Sequence, residues 1–324
     1  MNTAAISLKA RLHGALIPAV PVPCFRDGAI DWAAQESYVK YMANQPVEGV
    51  AVWVHTGRGL HLSYEDRSRV MSSWREGLRD KLIIAGAGGA PDSLTDSDYV
   101  ESASRMAEHA KELGADGLLC YAPVRFREFT PADRDDHIIA YHRRIADAGL
   151  PLILFYLYEA AGGISYSEEV LRALFALPSV CGIKMATLDS VTTFQNVASL
   201  LTRDFPEHLL ITGEDRFLGY SIMCGAKAAL IGMGAALPHF QKDLLSAYLR
   251  NDAGFFLKLS RLADLFAEFT FKTPMEGYIS RMLYVLAEEG VIPYDSCFDP
   301  WGPILTEDDK QLITATLNTI HKSL

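Results

Sequence analysis

Val180-Cys181-Gly182-Ile183-Lys184-Met185-Ala186 is a short apolar run with a single cation inside it. It follows Leu177-Pro178-Ser179, a turn signal, and carries the β-branched residues Val180 and Ile183. The pattern reads as a buried strand that ends at or just past the lysine. An ammonium buried without a partner is costly, so such a group tends to give up its proton. A neutral lysine amine attacks carbonyls and forms Schiff bases. The competing reading has Lys184 reaching solvent along its aliphatic stem, or pairing with a carboxylate.

Outward from this stretch, short apolar runs alternate with longer amphipathic ones. Strands are expected at 15–22, 49–54, 82–87, 117–121, 152–157, 180–184, 209–212 and 228–232. Helices are expected between them at 31–44, 64–77, 93–113, 131–148, 166–175 and 190–202. Ser63 before Tyr64-Glu65-Asp66 is a capping signal, and Thr130-Pro131-Ala132-Asp133 puts proline at a first helical position. Gly114 and Gly149 stand where helices should stop. Eight strand–helix units mean a parallel sheet. Their spacing favours an α/β fold of the closed kind, a (β/α)8 TIM barrel, over an open doubly wound sheet. The open sheet usually carries a glycine fingerprint after its first strand, and Pro18-Ala19-Val20-Pro21-Val22-Pro23 is not one. Past residue 236 the strand signals stop, and helices are expected at 239–249, 253–269, 275–289 and 307–321. The division is a barrel with the active site at 1–236 and a C-terminal helical extension at 237–324, packed outside the barrel or between subunits.

Composition narrows the function classes. The chain has 324 residues, 49% hydrophobic, with a net charge of −10. An acidic surface argues against nucleic acid and anionic membranes as partners. The five cysteines are scattered without a CxxC pair, so neither a zinc cluster nor a redox pair is indicated, and free thiols in a reducing compartment are expected. No histidine pair has metal-type spacing such as HxH or HExxH. No signal peptide or membrane span is read, and a cytoplasmic location is expected. No cofactor and no metal are called for.

The active site of such a barrel lies at the C-terminal ends of the strands. Lys184 ends the sixth. Leu154-Phe155-Tyr156-Leu157-Tyr158 ends the fifth, and alternation puts Tyr156 and Tyr158 on one side. A phenol beside a Schiff-base lysine can relay protons; the alternative is that both tyrosines are packing residues. The loop after the second strand, Val54-His55-Thr56-Gly57-Arg58-Gly59, has small residues, a hydroxyl and backbone N–H groups suited to a carboxylate. His55 adds a donor or an acid/base, unless a backbone carbonyl satisfies it.

Together these residues resemble the dihydrodipicolinate synthase / N-acetylneuraminate lyase family of Schiff-base lyases, from about Gly14 to about Leu237. Residues 14–23 look like the family's first strand, and Val54-His55-Thr56-Gly57-Arg58 stands in its Gly-Thr/Ser-Thr-Gly-Glu loop. Tyr156 is matched to its Tyr-Asn-x-Pro motif and Gly182-Ile183-Lys184 to its lysine motif. Gly213-Glu214-Asp215 resembles its loop after the seventh strand, and Gly225-Ala226-Lys227-Ala228-Ala229-Leu230 its Gly-Ala-x-Gly segment before the eighth. The resemblance implies that Lys184 attacks the ketone of pyruvate or another 2-oxo acid, that Tyr156 shuttles protons, and that the Thr56 loop holds the substrate carboxylate. The candidate substrate-binding residues are His55, Thr56, Gly57, Arg125, Gly213 and Leu230. A homo-oligomer, dimer or tetramer, is expected.

The departures point away from lysine biosynthesis. The loop's first threonine is His55 and its glutamate is Arg58. The tyrosine motif's asparagine and proline are Leu157 and Glu159. Ala161 stands where dihydrodipicolinate synthases keep a carboxylate-gripping arginine, and Val124-Arg125 replaces an aromatic pair. The expectation is a lyase that cleaves a 2-oxo acid with release of pyruvate, or dehydrates a 2-keto-3-deoxy sugar acid. The alternative is a non-catalytic 2-oxo-acid-binding or regulatory barrel.

Overall fold

The computed structural model describes all residues, 1–324. Eight strands form one parallel sheet: β1 (Leu16–Pro18), β2 (Gly49–Val52), β3 (Leu82–Gly86), β4 (Gly117–Tyr121), β5 (Leu152–Leu157), β6 (Val180–Ala186), β7 (Leu209–Thr212) and β8 (Ala228–Ile231). Their order is β1-β8-β7-β6-β5-β4-β3-β2, and a parallel bridge between Ala19 and Ala51 joins the two ends into a ring. This is the (β/α)8 barrel expected from the alternation. The strands are shorter than the apolar runs suggest at β1 and β2, because the chain leaves the sheet into loops at the catalytic end.

Helix boundaries follow the local signals closely. Tyr64–Gly77 starts with Ser63 Oγ accepting from the Asp66 N–H at 3.0 Å, and Pro131–Ala146 starts with proline in its first turn. Gly114 and Gly149 have φ of +83° and +81°, the left-handed stop that glycine adopts without steric cost. Two helices escaped the sequence reading. Leu218–Met223 is one short turn-and-a-half after β7. Thr3–Leu12 is the other. Its Ala5, Leu8 and Leu12 join the interior cluster of the barrel with Ile17, Ile84 and Ile153. Leu8 lies so close to β4 that a Cβ at Gly117 would sit 2.5 Å from its Cδ2. The helix plugs the end of the barrel opposite the catalytic loops.

The helical extension packs onto the barrel and also sends the segment around Thr273–Tyr278, with Asp299, to the catalytic end. No helix is long and apolar enough to cross a membrane. All five cysteines are free.

Candidate active site

Register decides which side chains meet. β5 and β6 pair as Phe155 with Lys184 and Tyr156 with Met185, and a register shift at Leu152/Ile153 sets this alignment. Ile153, Phe155 and Leu157 belong to the barrel interior, whereas Leu154 and Tyr156 belong to the layer between strands and helices. Lys184, opposite Phe155 and Ile211, points inward. Its Nζ lies 4.1 Å from the centre of the Phe155 ring, and it is 6% exposed. Gly213 makes room for it: a Cβ there would stand 2.4 Å from Lys184 Cε.

Burial pushes the Lys184 amine below its ordinary value, against the opposing charges of Asp215 and Glu214. Burial likewise pushes Asp215 up, although its Oδ1 accepts from the Met233 N–H at 2.7 Å and Lys184 draws it down. Glu214 is pushed up to about 7 by burial, against hydrogen bonds from Thr187 and Leu188. Those bonds clasp the loop that follows Lys184. An amine that sheds its proton easily beside proton-accepting carboxylates is the electrostatics a carbonyl nucleophile needs.

Tyr156 is not brought to the lysine. Its hydroxyl pairs with Ser165 Oγ at 3.0 Å on the outside of the barrel, and its ring packs on Tyr166. The expected relay is therefore corrected: the inward position on β5 is Phe155, which has no proton to give. Tyr156 and Tyr158 do not share a side as expected: β5 ends at Leu157, and Tyr158 beyond it packs against the interior cluster while Tyr156 stays outside.

The loop after β2 does reach the site. His55 Nε2 lies 3.0 Å from both carboxylate oxygens of Glu276. Thr56 is buried, and its Oγ1 is 2.8 Å from the Tyr278 hydroxyl. Gly57 donates its N–H to the Val54 carbonyl at 2.9 Å, so that group is spent within the loop. Arg58 is not a solvated loop residue. It is buried, with Nη2 2.7 Å from Asp299 Oδ2 and Nη1 3.0 Å from Glu276 Oε2. Tyr158 donates to Glu276 Oε1 at 2.9 Å. Burial works to raise the Glu276 carboxyl, but His55, Arg58 and Tyr158 outweigh it and hold it at about 2. Leu230 is part of the interior packing with Ile17 and Ile211. Arg125 is drawn away: its Nε donates to Asp96 at 2.7 Å and its guanidinium covers the Tyr99 ring. It does not line the cavity, which corrects its expected role.

That cavity has a volume of about 190 Å³. The ends of β2 to β5 wall it with Val54, Ala87, Leu119, Tyr121, Phe155 and Ala161, and Glu276 closes it from the extension. Phe155 is shared, with one side on the cavity and Lys184 against its ring. Glu276, Tyr278 and Asp299 escaped the sequence reading. Their signal is weak, since each is one polar residue in an otherwise ordinary helical tail. Glu214 and Asp215, two adjacent acids directly after an apolar strand, were visible but unassigned.

The fold and site define a (β/α)8 barrel with a buried amine and carboxylates at the C-terminal ends of its strands, beside a partly open cavity. The model of the dihydrodipicolinate synthetase family matches residues 12–320, and the chain belongs to that family. It is a lyase, as its relatives are. The N-acetylneuraminate lyase of Pongo abelii is 29% identical over 82% of this chain and 79% of its own length. The 4-hydroxy-tetrahydrodipicolinate synthase of Methanosphaerula palustris is 27% identical over 73% of this chain and 77% of its own. In fold, dihydrodipicolinate synthase from Bacillus clausii superposes with a TM-score of 0.81 at 20% identity, covering 96% of this chain and 99% of that one. Ruminococcus gnavus sialic acid aldolase gives 0.82 at 18% identity, covering 97% and 98%.

Proposed function

We propose that this lyase forms a Schiff base between Lys184 and a 2-oxo acid, and then cleaves the substrate with release of pyruvate or dehydrates a 2-keto-3-deoxy sugar acid. The observation that carries this is the inward, buried Lys184 amine, held below its ordinary pKa by burial next to Asp215. The amine turns from the Phe155 face into the cavity and adds to the ketone. Loss of water leaves an iminium, which draws electrons from the neighbouring carbon–carbon bond or β-hydroxyl. Thr56 and Tyr278 mark the place for the carboxylate. His55, braced by Glu276, takes the role of acid/base toward the substrate tail.

Condensation of pyruvate with aspartate semialdehyde is not the proposed reaction. Ala161 gives the cavity wall no charge, Arg125 is engaged by Asp96, and Arg58 by Asp299 and Glu276. A homo-oligomer is proposed on the family resemblance alone. The test is borohydride reduction with pyruvate followed by peptide mass analysis. Wild type should gain a reduced pyruvyl group on Lys184 and Lys184→Ala should gain none; a label on another lysine overturns the assignment.

A further inference from the structure

Imine formation needs a proton donor and acceptor at the amine, because the ketone oxygen leaves as water. The β5 side of Lys184 offers none. Phe155 covers the amine there, 4.1 Å from Nζ to the ring centre, and Tyr156 faces Ser165 outside the barrel. Toward β2 and the extension the polar groups are paired with one another: Thr56 with Tyr278, and His55 and Tyr158 with Glu276. That leaves the β7 side, where Glu214 and Asp215 follow the strand.

The two acids differ in what they hold. Glu214 is spent on the loop after β6: its Oε1 takes the N–H and the hydroxyl of Thr187 at 2.7 and 2.9 Å, and its Oε2 takes the Leu188 N–H at 2.8 Å. Asp215 is held by backbone alone, with the Met233 N–H donating to Oδ1 at 2.7 Å, and no arginine or lysine pairs with it. The chain fixes its place beside the amine. The Gly213 N–H donates to the Met185 carbonyl at 2.6 Å, and Gly213 leaves no room for a side chain against Lys184 Cε, so β7 passes hard against β6 there. Asp215 lies two residues further on, 5% exposed, and is tied across to the end of β8. Of the charged groups around Lys184 it acts most strongly on the amine. It makes no direct ion pair with Nζ, which leaves space between them for reacting atoms. The titratable groups that face Asp215 are Lys184 from β6, Tyr158 beyond β5, Tyr278 from the extension and Glu214 beside it. Burial raises the proton affinity of Asp215 and lowers that of Lys184, so the two approach each other and one proton can pass between them at little cost.

We infer that Asp215 is the catalytic acid and base at the Lys184 imine. This rests on the Schiff-base reading above and names the group that moves its protons. The starting pair is a neutral amine and a protonated Asp215. The nitrogen lone pair bonds to the ketone carbon, the carbonyl π pair moves to oxygen, and that oxygen takes the proton of Asp215. The carboxylate then takes a proton from the nitrogen, which gives the neutral carbinolamine and restores the acid. Asp215 next protonates the carbinolamine hydroxyl. The carbon–oxygen bond breaks, water leaves, and the nitrogen lone pair closes the iminium. The carboxylate that remains faces the new cation, and the same steps in reverse release the product.

The rate of imine formation tests this, read by mixing protein with pyruvate, quenching with borohydride at timed intervals and measuring the mass gain on Lys184. Asp215→Asn keeps an oxygen for the Met233 N–H but has no proton to transfer, and it should form the imine roughly 100-fold more slowly than wild type or worse. Asp215→Glu keeps the acid in a longer side chain, and it should be roughly 10-fold faster than the Asn variant, a fraction of the general acid–base contribution. Packing alone gives the opposite order, since asparagine matches aspartate in shape and glutamate does not. The proposal is overturned if Asp215→Asn reacts near the wild-type rate, or if Asp215→Glu is no faster than Asp215→Asn. Where Asp215→Glu does not fold, formate added to Asp215→Ala supplies the acid instead, and a rate that fails to rise with formate overturns the proposal equally. If wild type itself traps no pyruvate on Lys184, the Schiff-base reading falls first.

Discussion

At the scale of single residues, one position separates a side chain that meets the amine from one that does not. Phe155 lies under Lys184 Nζ, and Tyr156 turns its hydroxyl to Ser165 behind the sheet. Tyr156→Phe should therefore keep turnover close to wild type and lose only one half-buried hydrogen bond, about 0.5–1.5 kcal/mol of stability in a denaturant titration. A fall in rate of roughly 100-fold would put this phenol back into the chemistry. Lys184 carries its own pH prediction. Its folded value lies below the 10.5 of a free lysine because burial penalises the charge. Between the two values the unfolded chain binds the extra proton, so folding gains stability as pH rises through that window. Pyruvate trapping should accordingly rise with pH and reach its midpoint below 10.5; a midpoint at the free-lysine value would mean a solvated amine.

At the scale of elements, the loop after β2 is shaped by strain and close packing. Trp53 has φ of +59° and Arg58 of +50°, a conformation that side chains rarely hold without support. A Cβ at Gly59 or Gly86 would come within 2.1 or 2.4 Å of the Trp53 carbonyl oxygen, so only glycine lets these backbones pass. The loop is clamped from across the cavity by Glu276, which holds His55, Arg58 and Tyr158 together. Glu276 ionises at about 2 against an ordinary 4.5. Its stabilisation is complete above 4.5 and is lost as pH falls through about 2. Glu276→Gln should flatten acid unfolding in that window, seen by circular dichroism, and should lower aldol turnover while leaving pyruvate trapping measurable. An unchanged acid limb would show that the clamp contributes nothing to stability.

At the scale of the whole molecule, the barrel and its extension act as one body at the catalytic end. Arg58 and Asp299 are 241 positions apart in the chain and form a buried ion pair. Removing one partner of such a pair leaves a charge uncompensated and costs about 3–5 kcal/mol. Asp299→Ala should show this as a lowered denaturant midpoint, with loss of activity from a loosened Glu276. A variant as stable as wild type would mean that Arg58 is served well enough by Glu276. The opposite end of the barrel is closed by the Thr3–Leu12 helix, whose apolar face fills the interior.

The alternation of eight apolar runs with amphipathic ones was enough to specify a barrel, because strand and helix periodicities are local properties of the chain. The same holds for the caps at Ser63 and Thr130, and for Lys184 as a lone cation in an apolar strand. The loop residues His55 and Thr56 were legible too, since they directly follow a strand end. What only the tertiary structure decided depends on register and on distant pairing. The shift between β5 and β6 put Phe155, not Tyr156, against the amine. Asp96, 29 residues upstream, took Arg125 out of the site. Glu276 and Asp299 turned Arg58 from a loop cation into a buried strut. Side chains that lie over two hundred positions apart leave no periodic trace of each other, so their meeting is written only in the packed fold.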